Sequence, residues 1–123
     1  MEKATYVDGF VLVVPKAKAA AYKKMATEGR EAWLKFGALD YKECVIEDAN
    51  PKDIVAPFGK MIKAKPGEQV WFSYITFSSK THRNQVNKKV MAHFGEKYAD
   101  AKPQAMPFDM KRMAYGGFKV VVG

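Results

Sequence analysis

The sequence predicts an α+β fold of the ferredoxin-like βαββαβ type with one extra short edge strand. Three observations carry this prediction. Residue periodicity gives the order strand, helix, strand, short strand, strand, helix, strand. Residues 10–14 and 70–77 are apolar on both faces, so their sheet needs cover on both sides. The chain has 123 residues with 48% apolar content, the size and composition of one domain (1–123) with a packed core.

Residues 5–14 form the first strand. Tyr6, Asp8, Phe10, Leu12 and Val14 fall on one face, and Val7, Gly9, Val11 and Val13 on the other. Pro15 ends it and suits the first turn of a helix. Residues 16–36 follow as an amphipathic helix, with Tyr22, Met25, Ala26, Gly29, Trp33 and Phe36 at three- and four-residue steps. Gly29 lowers helix propensity by about 1 kcal/mol relative to Ala, and its place in the stripe predicts a close approach to the sheet. Gly37 ends the helix.

Residues 38–47 read as a second strand of mixed polarity, with Glu43 and Cys44 on opposite faces. Residues 57–64 read as the short edge strand, whose Lys60 and Lys63 discourage pairing with other chains. Pro66-Gly67 is a turn. Residues 69–77 are the strongest strand, with Trp71, Ser73, Ile75 and Phe77 on one face and Phe72, Tyr74 and Thr76 on the other. Ser78 or Ser79 caps a second helix whose buried stripe is His82, Val86, Val90 and His93, with Phe94 beside them. Residues 99–112 are irregular, and 114–122 form the last strand. Gly116-Gly117 within it predict a bulge or a close backbone approach.

Two helices cover one face of such a sheet. The other face needs a partner, which predicts a homodimer with two sheets packed face to face. The alternative is a monomer in which the loops at 49–68 and 99–112 cover that face.

Composition excludes several function classes. The longest apolar run, Phe10 to Val14, is far short of the roughly 20 residues of a membrane span. The N-terminus lacks a signal-peptide pattern, so a cytoplasmic protein is expected. The single cysteine, Cys44, excludes an intrachain disulfide, and one Cys with two His is poor material for a metal site. No motif implies a cofactor: Gly116-Gly117 lacks a following helix and the Lys-Ser/Thr of a nucleotide site. The formal charge is +8, from 21 bases and 13 acids, but only Arg30, Arg83 and Arg112 are arginines. The lysines are spread along the chain, which describes a solvated surface better than a phosphate-reading patch. Nucleic-acid binding is not expected. The βαββαβ order is shared with the RNA recognition motif, but the Lys/Arg-Gly-Phe/Tyr-Gly/Ala-Phe pattern is absent.

Several segments together carry a family resemblance. They are Tyr6-Val7-Asp8-Gly9-Phe10 followed by Pro15, Phe36-Gly37-Ala38-Leu39 leading to Glu43-Cys44, Phe72-Ser73-Tyr74-Ile75, Ser79 to Met91 with Asn87, and Met106 to Phe118. Over nearly its whole length the chain resembles the YbaA-like bacterial family, domain of unknown function 1428. The resemblance implies a dimeric α/β barrel, a ferredoxin-like dimer of small bacterial cytoplasmic proteins, and no known reaction. Met110 departs from the glycine usual in the family's Phe-Asp-Gly turn.

The candidate ligand-binding residues are Asp8, Trp71, Tyr74, His82, Asn87, Asp109, Arg112 and Tyr115. Asp8 is a carboxylate in an apolar strand, either a ligand anchor or one half of an ion pair, with Arg112 as a partner. Asp109 and Arg112 sit in a Pro-flanked loop, a common place for binding groups, although Asp109 equally suits a turn. His82 and His93 are 11 residues apart on one helix, roughly 16 Å and too far to share a metal. Either serves as a general base or simply packs. Asn87 is the polar residue of that helix that best matches the resembled family. Tyr22, Trp33, Trp71, Tyr74 and Tyr115 are candidates to line a cleft between helices and sheet, or else are core. The expected function is binding or transforming a small molecule in that cleft. The alternatives are a ligand-free interaction protein and a basic RNA-binding module.

Overall fold

A computed structural model describes residues 3–50, 55–102 and 105–123. Strands β1 (Tyr6–Pro15), β2 (Asp40–Val45), β3 (Glu68–Phe77) and β4 (Ala114–Lys119) form one antiparallel sheet in the order β2-β3-β1-β4. Helix α1 (Ala19–Lys35) joins β1 to β2, and α3 (Lys80–Lys97) joins β3 to β4. This arrangement is compatible with a ferredoxin-like fold.

The alternation read from the sequence fixes which side chains meet the helices. Leu12 pairs with Trp71, Phe10 with Ser73 and Asp8 with Ile75, so these residues share one face. Two apolar clusters form there. Tyr41, Ile75 and Phe77 pack with Ala32, Val86 and Val90, while Leu12, Val14 and Trp71 pack with Tyr22, Ala26 and Phe108. Helix α3 begins where Ser79 accepts a hydrogen bond from the His82 backbone N–H at 3.0 Å. Helix α1 ends before Gly37, whose φ of +116° is a left-handed conformation that glycine adopts without penalty.

The short edge strand expected over 57–64 is not a strand. Phe58–Met61 forms a single helical turn, α2. Pro57 supplies a preset φ of −69° at its N-terminus. The N–H groups of Lys60 and Met61 bond back to the Pro57 carbonyl. No residue of the turn is β-branched, and Lys63 at φ 57° closes it. Helix α1, β2 and the last strand are shorter than read: residues 16–18 are a 3-10 turn, β2 spans Asp40–Val45, and the last strand stops at Lys119, whereas β1 runs on through Pro15 and β3 begins at Glu68. Gly116 and Gly117 lie in regular register opposite Gly9 and Asp8, so there is no bulge.

They do serve a close approach. A β-carbon on Gly117 would fall inside the contact distance of the Tyr6 hydroxyl and 3.2 Å from the Arg83 guanidinium. Gly117→Ala is therefore expected to push Tyr6 off Arg83 and to destabilise the fold by about 1–3 kcal/mol, read by chemical denaturation. An unchanged midpoint would show that Tyr6 moves aside freely.

The second sheet face carries Val7, Val11, Phe72, Tyr74 and Phe118. Phe72 is 44% exposed and Phe118 57%. Of the two loops that were alternatives for covering this face, the described part of the first brings α2 to it, with the Phe58 ring 6.5 Å from that of Phe72. The described part of the second runs along the helix side, where Ala101, Met106 and Phe108 line a cavity.

Candidate functional site

A cavity of about 1050 Å³ opens between the helices and the sheet, bordered by both apolar clusters. Its floor is a rung of the sheet in which Glu43, Ser73 and Phe10 lie side by side across β2, β3 and β1. Tyr41 and Ile75 occupy the next rung. Helix α1 supplies Tyr22, Gly29 and Trp33 as one wall, and Phe94 of α3 and Phe108 contribute further aromatic surface.

Glu43 is the chemical centre of this floor. The Tyr22 hydroxyl donates to its Oε1 at 2.8 Å and the Tyr41 hydroxyl donates to its Oε2 at 2.7 Å. Burial raises the Glu43 carboxyl above the ordinary glutamate range, and the two tyrosine hydrogen bonds offset this only in part. Burial, with the neighbouring carboxylate, pushes both phenols up as well. No cation pairs with Glu43 among the described residues. Gly29 is what lets α1 come this close, since a β-carbon there would lie 3.3 Å from the Tyr41 hydroxyl. The arrangement holds a poorly solvated carboxyl, pushed toward its protonated form by burial, at the floor of a largely apolar cavity.

The raised carboxyl has a consequence for stability. The folded chain keeps a proton that the unfolded chain releases, so this group's contribution is full below the unfolded glutamate value. It is lost as pH rises from there through the folded value. Glu43→Gln removes that slope. Relative to the wild type, the variant should gain stability as pH rises through this window, as read by urea denaturation across a pH series. A constant difference would mean that the Glu43 carboxyl is not raised in the folded chain.

The sequence-predicted site residues are not one constellation. Asp8 and Tyr115 do meet: the Tyr115 hydroxyl donates to Asp8 Oδ1 at 3.0 Å. The cation beside Asp8 is not Arg112 but Arg83, whose Nε lies 3.9 Å from the same oxygen. Arg83 also donates to the hydroxyls of Tyr6 and Tyr115 and stacks over the Tyr6 ring. Arg112 instead holds Glu68, at 2.5 and 2.8 Å, and the Lys63 carbonyl. Asp109 accepts from the Lys111 N–H and starts a 3-10 turn over Met110–Arg112.

His82 Nδ1 accepts from the Ser78 N–H, and its ring packs edge-on against Phe77. Asn87 accepts from Trp33 Nε1 at 3.0 Å, so it orients a wall of the cavity without lining it. Of the five aromatic residues considered for the cleft, Tyr22 and Trp33 line it. Trp71 lies behind Tyr22 in a T-shaped contact, Tyr115 lies beyond Phe10, and Tyr74 is on the opposite sheet face. The residue missed as a candidate was Glu43. The signal for it was present: Tyr41 and Glu43 alternate toward the same side of β2, facing a helix whose apolar stripe begins with Tyr22.

Residues 5–110 match the family model described as "Protein of unknown function (DUF1428)". The chain belongs to the DUF1428 family. The segments that carried the resemblance thus identified the family correctly. Among DUF1428 relatives, "Uncharacterized protein YbaA" of Escherichia coli (strain K12) is 41% identical over 122 residues, covering 95% of this chain and 97% of that protein. The protein of the same name from Shigella flexneri matches to the same extent. Glu43, Ser73, Tyr22 and Tyr41 all lie within the region matched to the family. Among the described residues of this DUF1428 chain, no helix is long and apolar enough to cross a membrane.

Proposed function

We propose that this protein binds or transforms a small molecule in the cleft between its helices and its sheet, with Glu43 as the polar contact. The observation that carries this reading is the combination of a cavity of about 1050 Å³ with a carboxyl held at its floor by Tyr22 and Tyr41. Ligand sites are concave and apolar, with a few convergent polar groups. Two other carboxylates withdrawn from water are instead paired with cations, Asp8 with Arg83 and Glu68 with Arg112. The protein acts as a homodimer, two ferredoxin-like sheets meeting through the faces that bear Phe72 and Phe118. The β1, β3 and β4 part of that face carries no charged residue between Val7 and Val13, Val70 and Thr76, or Ala114 and Phe118. A second copy is the partner such a surface suits, because it meets itself without repulsion although each chain carries +8 overall.

A ligand-observed NMR screen of small aromatic and aliphatic compounds tests the cleft. Binders are expected to compete with one another and to be lost in Ser73→Phe, which fills the floor. Binders that persist undiminished in that variant would place the site elsewhere, and a screen without binders would remove the reading.

A further inference from the structure

The cavity has an electrical direction from mouth to floor. Lys18, Lys24 and Lys102 line it and are exposed, and none is held in an ion pair among the described residues. The other acid of the lining, Glu28, is already held by Lys97 at 3.1 Å and by the Tyr98 hydroxyl. The mouth therefore offers unspent positive charge. The floor offers hydrogen-bond acceptors. Each Glu43 oxygen accepts one hydrogen bond from a tyrosine hydroxyl and retains further acceptor capacity, and those two hydroxyls have committed their donors to it. Between mouth and floor the walls are Trp33, Phe94 and Phe108.

The geometry points to a ligand of one polarity: an organic acid with an apolar body and a hydrogen-bond donor, hydroxyl or ammonium, at its far end. It enters donor first. The donor completes the Glu43 shell, the body displaces water from the aromatic walls, and the carboxylate stays at the mouth among the lysines. This rests on the cleft reading proposed above and adds to it the orientation and chemical class of the occupant. The lysines also draw anions toward the mouth at low ionic strength, so the charge that admits the ligand is the charge that holds it.

Four compounds test it on the purified full-length protein by isothermal titration: ω-hydroxydecanoate, ω-aminodecanoate, ω-methoxydecanoate and decanol. A hydrogen bond to a buried carboxylate is worth roughly tenfold or more in affinity. The hydroxy or amino acid should exceed the methoxy acid by that factor, and Glu43→Gln should shrink the advantage. Added salt should weaken the acids and leave decanol unchanged, a readout that needs no variant. Equal affinity for all four compounds, unmoved by salt but abolished by Ser73→Phe, would overturn the polarity and leave the cleft standing. Binding of none, or binding indifferent to Ser73→Phe, would overturn both.

Discussion

Phe72→Asp is expected to dissociate the proposed homodimer into monomers while leaving the fold intact. Phe72 lies on β3, an interior strand of the sheet, on the face away from the helices. At 44% exposure in the single chain, it has apolar surface left to bury. Burying a phenylalanine contributes roughly 1.5–3 kcal/mol. A twofold interface buries two, and the variant also buries two unpaired carboxylates. A loss of about 4 kcal/mol raises the dimer dissociation constant roughly a thousandfold. Sedimentation equilibrium reads this directly. Val121→Asp is the control, since Val121 is 83% exposed but lies beyond β4. A wild-type protein that is monomeric at high micromolar concentration would end the dimer proposal, and the uncovered aromatic face would then need another partner.

Arg83→Leu is expected to have the largest effect on stability. Asp8 is 2% exposed and Arg83 17%, so the pair is largely withdrawn from water. Removing the cation strands Asp8 with the Tyr115 hydroxyl as its remaining partner and also removes the donors to Tyr6 and Tyr115. Breaking a buried pair from one side costs about 3–5 kcal/mol, because an uncompensated charge is left behind. The cost should fall when the charge leaves too. Asp8→Asn combined with Arg83→Leu is expected to be more stable than Arg83→Leu alone. If the double variant is the weaker of the two, Asp8 is not stranded by the loss of Arg83, and the cluster is held by packing instead.

Much of the fold was legible because its elements carry strong local signals. The alternation in β1 and β3 assigned each side chain to its face, and register then paired Asp8 with Ile75 and Phe10 with Ser73 as that alternation requires. Ser79 and Gly37 bound the helices by chemistry that acts within a few residues. The segment 57–64 misled because Met61 and Ile62 suit a strand, while Pro57 and the left-handed Lys63 decide the backbone. Such a short segment has too few side chains to overrule its turn residues.

The site was less legible, for a physical reason. Its members come from separate elements, and no spacing in the chain announces them. Tyr41 and Glu43 are two residues apart, but Tyr22 reaches Glu43 only because Gly29 lets α1 settle against β2. Asp8 was noticed because it breaks an apolar pattern. Its partner was misjudged because Arg83 lies in the first turn of a helix whose basic residues mostly face solvent. Charge in an apolar strand is conspicuous in a sequence, whereas a glutamate in a strand of mixed polarity is not.

A carboxyl-carbon NMR titration reads the protonation of Glu43 at the cavity floor. Its midpoint is expected above the ordinary glutamate range, because burial at the cavity floor outweighs the two tyrosine hydrogen bonds. A bound ligand carrying a donor is expected to lower that midpoint, since the donor favours the ionised form. A midpoint at or below the ordinary range in the free protein, unchanged when ligand is added, would contradict both expectations. Glu43 would then be an ordinary ionised carboxylate, stabilised by water or by its two tyrosines, and the cavity floor would hold no raised carboxyl.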